Sequence, residues 1–164
     1  MASEGVILLA EDSEIDAFFT KRAFAKAGLL NAIHVVTDGE EVISYLSATG
    51  KYSNRAKHPV PALLLLDLKM PHKNGLEVLR WIGQQPALSS LCVVVLTGSA
   101  MRQDMEAAYA LGATFFLTKP LRLDQLLKAG CTIEDHRLCV NKAAVCRSRP
   151  VSESAALFRP PGRT

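Results

Sequence analysis

Ala62-Leu63-Leu64-Leu65-Leu66-Asp67-Leu68-Lys69-Met70-Pro71-His72-Lys73-Asn74-Gly75 is the stretch on which the reading of the fold turns. Ala62–Leu66 is apolar throughout, with no alternation of polar and apolar side chains. A short run of this kind, bounded by turn residues, predicts a strand buried on both faces. It ends at a carboxylate, Asp67, and Pro71 and Gly75 mark the turn beyond it.

A strand buried on both faces needs covering layers, and the flanking sequence supplies them. Upstream, Val6–Ala10 is a second apolar run ending in Glu11-Asp12, and Ile33–Thr37 is another strand candidate. Downstream, Cys92–Leu96 ends in Thr97-Gly98-Ser99, and Thr114–Leu117 ends in Thr118-Lys119-Pro120. Helical segments alternate with these runs. Ser13 can cap the first, with Asp16 three residues on. Ile15, Phe18, Phe19, Ala23 and Ala27 form its expected inward stripe, and Gly28 stops it. Gly39–Ser47 reads as a helix with Val42, Ile43 and Leu46 inward. Residues 48–61, polar and ending in Pro, read as a loop. Leu76, Val78, Leu79 and Ile82 mark a third helix, and Met101–Leu111, closed by Gly112, a fourth. Leu123, Leu126, Leu127 and Ile133 mark the last. Five strands alternating with amphipathic helices predict an α/β fold, a parallel sheet covered on both faces.

Composition narrows the function classes. A chain of 164 residues is one domain, and 49% apolar with 21% charged residues is enough for a sizeable core. The net charge of +3 is unevenly spread: residues 1–130 hold 13 basic and 13 acidic side chains, residues 131–164 hold 6 and 3. Six dispersed charges with Phe158 as the one aromatic read as a solvated tail rather than a nucleic-acid surface. The apolar runs reach six residues, whereas a bilayer needs about 20. Met1–Gly5 lacks a basic start and a long apolar stretch, so neither membrane nor export is expected, and the expected location is the cytoplasm. Cys92, Cys131, Cys139 and Cys146 form no CxxC, consistent with reduced thiols there. Cys131, His136, Cys139 and Cys146 lack the paired spacing of structural zinc ligands. From about residue 138 the periodicity fades, and the proline-rich Val151–Thr164 is expected to be unstructured.

The chemistry collects at strand ends, where open parallel sheets bind ligands. Glu11 and Asp12 end the first strand, Asp67 the third, Thr97 the fourth and Lys119 the fifth. Three carboxylates in one crevice repel each other, and a hard divalent cation, Mg2+ being the usual one, relieves this. The amine and hydroxyl opposite are donors that a phosphoryl group would satisfy.

Asp67-x-x-Met70-Pro71-x-x-x-Gly75 resembles the corresponding segment of response-regulator receiver domains of two-component signalling. Glu11-Asp12, Thr97 and Lys119-Pro120 fall where that family has its acid pair, its hydroxyl and its Lys-Pro. The resemblance covers residues 5–137 and leaves 138–164 as a basic tail. Glu11-Asp12-Ser13, the loop 48–61 and Thr132-Ile133-Glu134-Asp135 are similar to single-domain regulators that serve phytochrome-type histidine kinases.

The resemblance implies a flavodoxin-like doubly wound five-stranded parallel sheet in the order 2-1-3-4-5. It implies that Asp67 accepts a phosphoryl group from a sensor histidine kinase with the help of Mg2+. Asp12, Asp67 and the Lys69 carbonyl would ligate the metal directly, and Glu11 through a water. Thr97 and Lys119 would hold the phosphoryl oxygens. Phe116 would be the aromatic switch, turning inward as Thr97 moves, and the Lys119–Pro120 bond would be cis. The chain would then be a switch rather than a turnover enzyme. Its output would come through a partner, through a homodimer made by the fourth helix, fifth strand and fifth helix, or through a relay. The residues after the receiver cannot hold a winged-helix domain, so direct DNA binding is not expected.

Two other classes fit less well. A haloacid-dehalogenase-type phosphatase also uses a strand-end Asp with Mg2+, but wants a second Asp two residues on, where Lys69 stands. A nucleotide-binding Rossmann module needs a Gly-rich turn where this chain has Glu11-Asp12-Ser13.

Overall fold

The leucine run becomes the central strand of the sheet, β3 (Leu63–Leu66). Its neighbours are β1 (Ile7–Ala10) and β4 (Cys92–Thr97), and β2 (Ile33–Val36) and β5 (Phe115–Thr118) flank them. The computed structural model describes residues 5–98 and 101–122. All pairings are parallel and the order is β2-β1-β3-β4-β5. Every residue of β1, β3 and β4 is buried. The unbroken apolar runs predict a parallel sheet, and its flavodoxin-like order is the one the receiver resemblance implies.

Helices α1 (Glu14–Lys26), α2 (Gly39–Ser47), α3 (Gly75–Gly83) and α4 (Arg102–Ala110) connect the strands. Alternate strand residues feed two cores. Leu8, Leu64, Val95 and Phe116 pack with Val42 of α2, Leu79 of α3 and Ala108 of α4. Ile7, Leu9, Leu65 and Leu96 pack with Ala17, Phe24 and Ala27 on the α1 side. The last predicted helix, the tail from 138 and Cys131, Cys139 and Cys146 lie outside the described residues. Among the described residues, no helix is long and apolar enough to cross a membrane.

The inward stripe expected for α1 is corrected. Ile15, Phe18 and Phe19 are 69%, 58% and 57% exposed, whereas Ala17, Thr20 and Phe24 are buried. A helix advances about 100° per residue, so an i, i+4 row such as Ile15, Phe19, Ala23 and Ala27 drifts about 40° each turn. The row meets the core only at its far end, with Ala23 against it and Ala27 buried. The 3-4-3 spacing of Ala17, Thr20, Phe24 and Ala27 stays on one face, and small residues let the helix approach the sheet closely.

Helix starts shape the rim of the sheet. Asn74 accepts from the Glu77 N–H at 3.0 Å and Glu77 accepts from the Asn74 N–H at 2.9 Å, a complete capping box for α3. A Cβ on Gly75 would lie 2.6 Å from the Asp67 carbonyl oxygen, so only glycine lets α3 begin this close to β3. The loop 48–61 holds one 3-10 turn, Gly50–Tyr52, and is fastened to α2. Arg55 donates to the carbonyls of Tyr45 (2.8 Å) and Leu46 (2.7 Å), which end that helix. Tyr45, absent from the expected inward set, is fully buried, and its hydroxyl donates to the Pro59 carbonyl at 3.1 Å.

Candidate functional site

Strand register carries the chemistry to one edge. Ala10 pairs with Leu66, so Glu11 and Asp67 leave the sheet side by side. The Asp67 N–H donates to the Ala10 carbonyl at 3.1 Å, and the Glu11 N–H to that of Val36 at 2.9 Å. Thr97 pairs with Thr118, and the Lys119 N–H donates to the Thr97 carbonyl at 2.8 Å. Ladder bonds therefore continue one residue past the strands and hold the functional backbone in place.

Glu11, Asp12 and Asp67 offer carboxylate oxygens within 4.8 Å of one another, with Glu11 and Asp67 buried and Asp12 exposed. One Asp67 oxygen, Oδ1, accepts the Lys69 N–H at 3.0 Å, and the other, Oδ2, accepts from Lys119 Nζ at 2.9 Å. Lys119 Nζ also donates to Glu11 Oε2, and to Asp16 Oδ2 at 3.0 Å. Thr97 is buried at the end of β4. Lys69 sits two residues beyond Asp67 and is exposed, with its backbone turned around the acceptor carboxylate. Phe116 is buried on the α2–α3–α4 side. The Lys119–Pro120 peptide is cis.

The electrostatics show an excess of negative charge. Burial pushes the Glu11 carboxyl up to about 7, against the hydrogen bonds from Lys119 and the Ser13 N–H and with the Asp67 charge adding to it. Burial pulls the Lys119 ammonium down, but its bonds to Glu11, Asp67 and Asp16 outweigh this and hold it above its ordinary range. Both groups are biased toward their protonated forms, Glu11 chiefly by burial and Lys119 by its bonds to three carboxylates. A divalent cation against Glu11, Asp12 and Asp67 fits this site. The donors are all hard oxygens, and they are close enough to share one ion.

Residues 7–130 match the family described as the response regulator receiver domain. The chain belongs to that family. It is 38% identical over 123 residues to response regulator Rcp1 of Synechocystis sp., covering 75% of this chain and 82% of Rcp1. The Mn2+-bound form of Rcp1 superposes with a TM-score of 0.66 at 37% identity, over 80% of this chain and 92% of that one. The bacteriophytochrome response regulator AtBRR gives 0.71 at 40% identity, over 79% and 92%. The phosphorylated cyanobacterial phytochrome response regulator RcpA gives 0.68 at 34%, over 82% and 94%. As a receiver, the chain is a phosphoacceptor response regulator of a family that binds divalent metal, and it carries an acidic cluster whose oxygens are close enough to share one ion. The phosphatase alternative finds no support.

The expected site residues Glu11, Asp12, Asp67, Thr97 and Lys119 share the edge where sequence reasoning put them. Asp16 was read only as part of a cap. Its N–H donates to Ser13 Oγ at 3.3 Å, but its carboxylate goes to Lys119 and the Ser13 N–H goes to Glu11 Oε1 at 3.2 Å. The sequence signal for this was an acidic residue one turn beyond Asp12, but its direction depends on how α1 is rotated.

Proposed function

We propose that Asp67 is the phosphoacceptor and that its donor is the phosphohistidine of a sensor histidine kinase of the phytochrome-linked type. The observation that carries this is the Asp67 carboxylate, buried at a strand end, with one oxygen on the Lys69 N–H and the other on the Lys119 ammonium. In the transfer, an Asp67 oxygen forms a bond to phosphorus and the P–N bond to the donor imidazole breaks. The imidazole leaves with the bonding pair and takes up a proton. Lys119 and the Thr97 hydroxyl meet the charge on the phosphoryl oxygens. Asp12, Asp67 and the Lys69 carbonyl would hold a divalent metal directly and Glu11 through a water, and the ion would supply charge neutralisation at the acceptor; Mg2+ is the ion we assign, with Mn2+ in Rcp1 as support for the ion class.

The output is a change of surface rather than turnover of a substrate. Drawing Thr97 toward the phosphoryl group alters the packing around Phe116 and biases the face of α4, β5 and the segment after it, toward a partner or a second copy. Direct DNA binding is not part of this reading, and the site of action is the cytoplasm. We take residues 5–137 as the receiver and 138–164 as a basic appendage. The test of function is incubation with Mg2+ and a small acyl-phosphate donor. A stable acyl phosphate that forms in the wild type and not in Asp67→Asn supports the reading; equal labelling of both removes it.

A further inference from the structure

An ammonium has three N–H bonds to give, and Lys119 gives one each to Glu11, Asp67 and Asp16. Two of these acceptors change during phosphoryl transfer. Glu11 faces the cation, and Asp67 becomes an acyl phosphate. Asp16 stands apart from the three-carboxylate cluster and is the third acceptor for Lys119.

We propose that Asp16 is a positioning residue for phosphoryl transfer: it shares the Lys119 ammonium with Asp67 and draws it toward α1, so that Lys119 stays free to swing from the Asp67 carboxylate to the incoming phosphoryl oxygens. This rests on Asp67 being the acceptor. The tether and the competing bond are of equal reach, with Nζ 3.0 Å from Asp16 Oδ2 and 2.9 Å from Asp67 Oδ2. Without Asp16, the ammonium has Glu11 and Asp67 as its remaining acceptors and settles on the attacking carboxylate, which blunts the nucleophile. The start of α1 is built to aim this tether. The Ser13 N–H donates to Glu11, and Ser13 Oγ accepts from the Asp16 N–H, so one cap fixes two of the lysine's three partners. Asp16 and Lys119 also both line a cavity of about 350 Å³ between α1 and the end of β5, with Phe19, Thr20, Gly98 and Pro120. The Asp16 side chain is 43% exposed, so its ion pair is partly screened and steers the lysine more than it binds it.

The competing view is that Asp16 serves only the N-terminus of α1, where a negative charge favours the helix. A double-mutant cycle separates the two. Labelling by an acyl phosphate with Mg2+ is followed against donor concentration for the wild type, Asp16→Ala, Lys119→Ala and the double variant. The expected result is that Asp16→Ala lowers the maximal rate about five- to tenfold and leaves half-saturation within about twofold. In the Lys119→Ala background the same change has no further effect. Asp16→Asn, of the same shape and keeping an acceptor oxygen, is expected to lose about twofold, and serves as the partner in the cycle should Asp16→Ala not fold. Wild-type rates in both Asp16 variants, or an equal loss with and without Lys119, overturn the inference while leaving Asp67 as acceptor. A wild-type chain that takes no label overturns both.

Discussion

Glu11 governs how the metal-free site responds to pH. Burial raises its carboxyl from 4.5 to about 7, so the folded chain holds this proton where the unfolded chain has lost it. The contribution of Glu11 to stability is therefore complete below about pH 4.5 and is lost as pH rises through about 7. Glu11→Gln is expected to flatten that part of the stability profile, measured by urea unfolding in chelator across this window. An unchanged slope contradicts the assignment. Divalent cation reverses the sense, because it favours the ionised carboxylate: affinity is expected to rise toward neutral pH with release of a proton. The acids at the strand ends were legible in the sequence because a carboxylate that stops an apolar strand can only lie at the sheet edge. Asp16 was not, because a helical residue's partner depends on a rotation that the apolar pattern of α1 misassigned.

At the scale of elements, the connection from β3 to α3 holds Asp67 in place. Gly75 lies against the Asp67 carbonyl and the Leu68 Cα, with a virtual Cβ 2.6 and 2.8 Å from them. These neighbours are backbone and cannot rotate away. Gly75→Ala is expected to cost about 1–3 kcal/mol in stability and to slow labelling, since relief requires moving the peptide that carries Asp67. Wild-type stability and rate in this variant would show that the connection yields freely. Strand positions were read to within a residue or so because each is a short apolar run between turn residues. The face of α1 was misread because Phe18 and Phe19 are large and apolar, yet lie outward. Tyr45 was passed over because its burial depends on acceptor and donor groups in the loop 48–61 and on His34, contacts between distant segments that no local pattern encodes.

Across the whole molecule, the two cores divide the labour of the sheet. The α1-side core seats Ala17 and Phe24 of the helix that carries Asp16, while the opposite core joins Phe116 to α2, α3 and α4. Thr97 ends β4, whose Val93 and Val95 share that core with Phe116 and Ala108 of α4. Thr97→Ala is expected to permit labelling of Asp67 but to uncouple it from this face. Hydrogen exchange with and without a phosphoryl mimic is the readout. Wild-type protection should change over residues 101–122, and the Thr97→Ala variant should show changes at the site alone. Identical patterns in both would mean that Thr97 does not transmit the signal. The order of the sheet was legible only through the family resemblance, since alternating runs require a parallel sheet but do not fix which strand lies in the middle.

Asp67 is the proposed acceptor, at a metal-assisted strand-end site. The most direct measurement is mass mapping of the wild-type chain after incubation with Mg2+ and a small phosphodonor, with Asp67→Asn and a chelated sample alongside. One phosphoryl group per chain, located on Asp67 and missing from both controls, is the predicted result. A phosphoryl group on another residue, or equal labelling in Asp67→Asn, would contradict it.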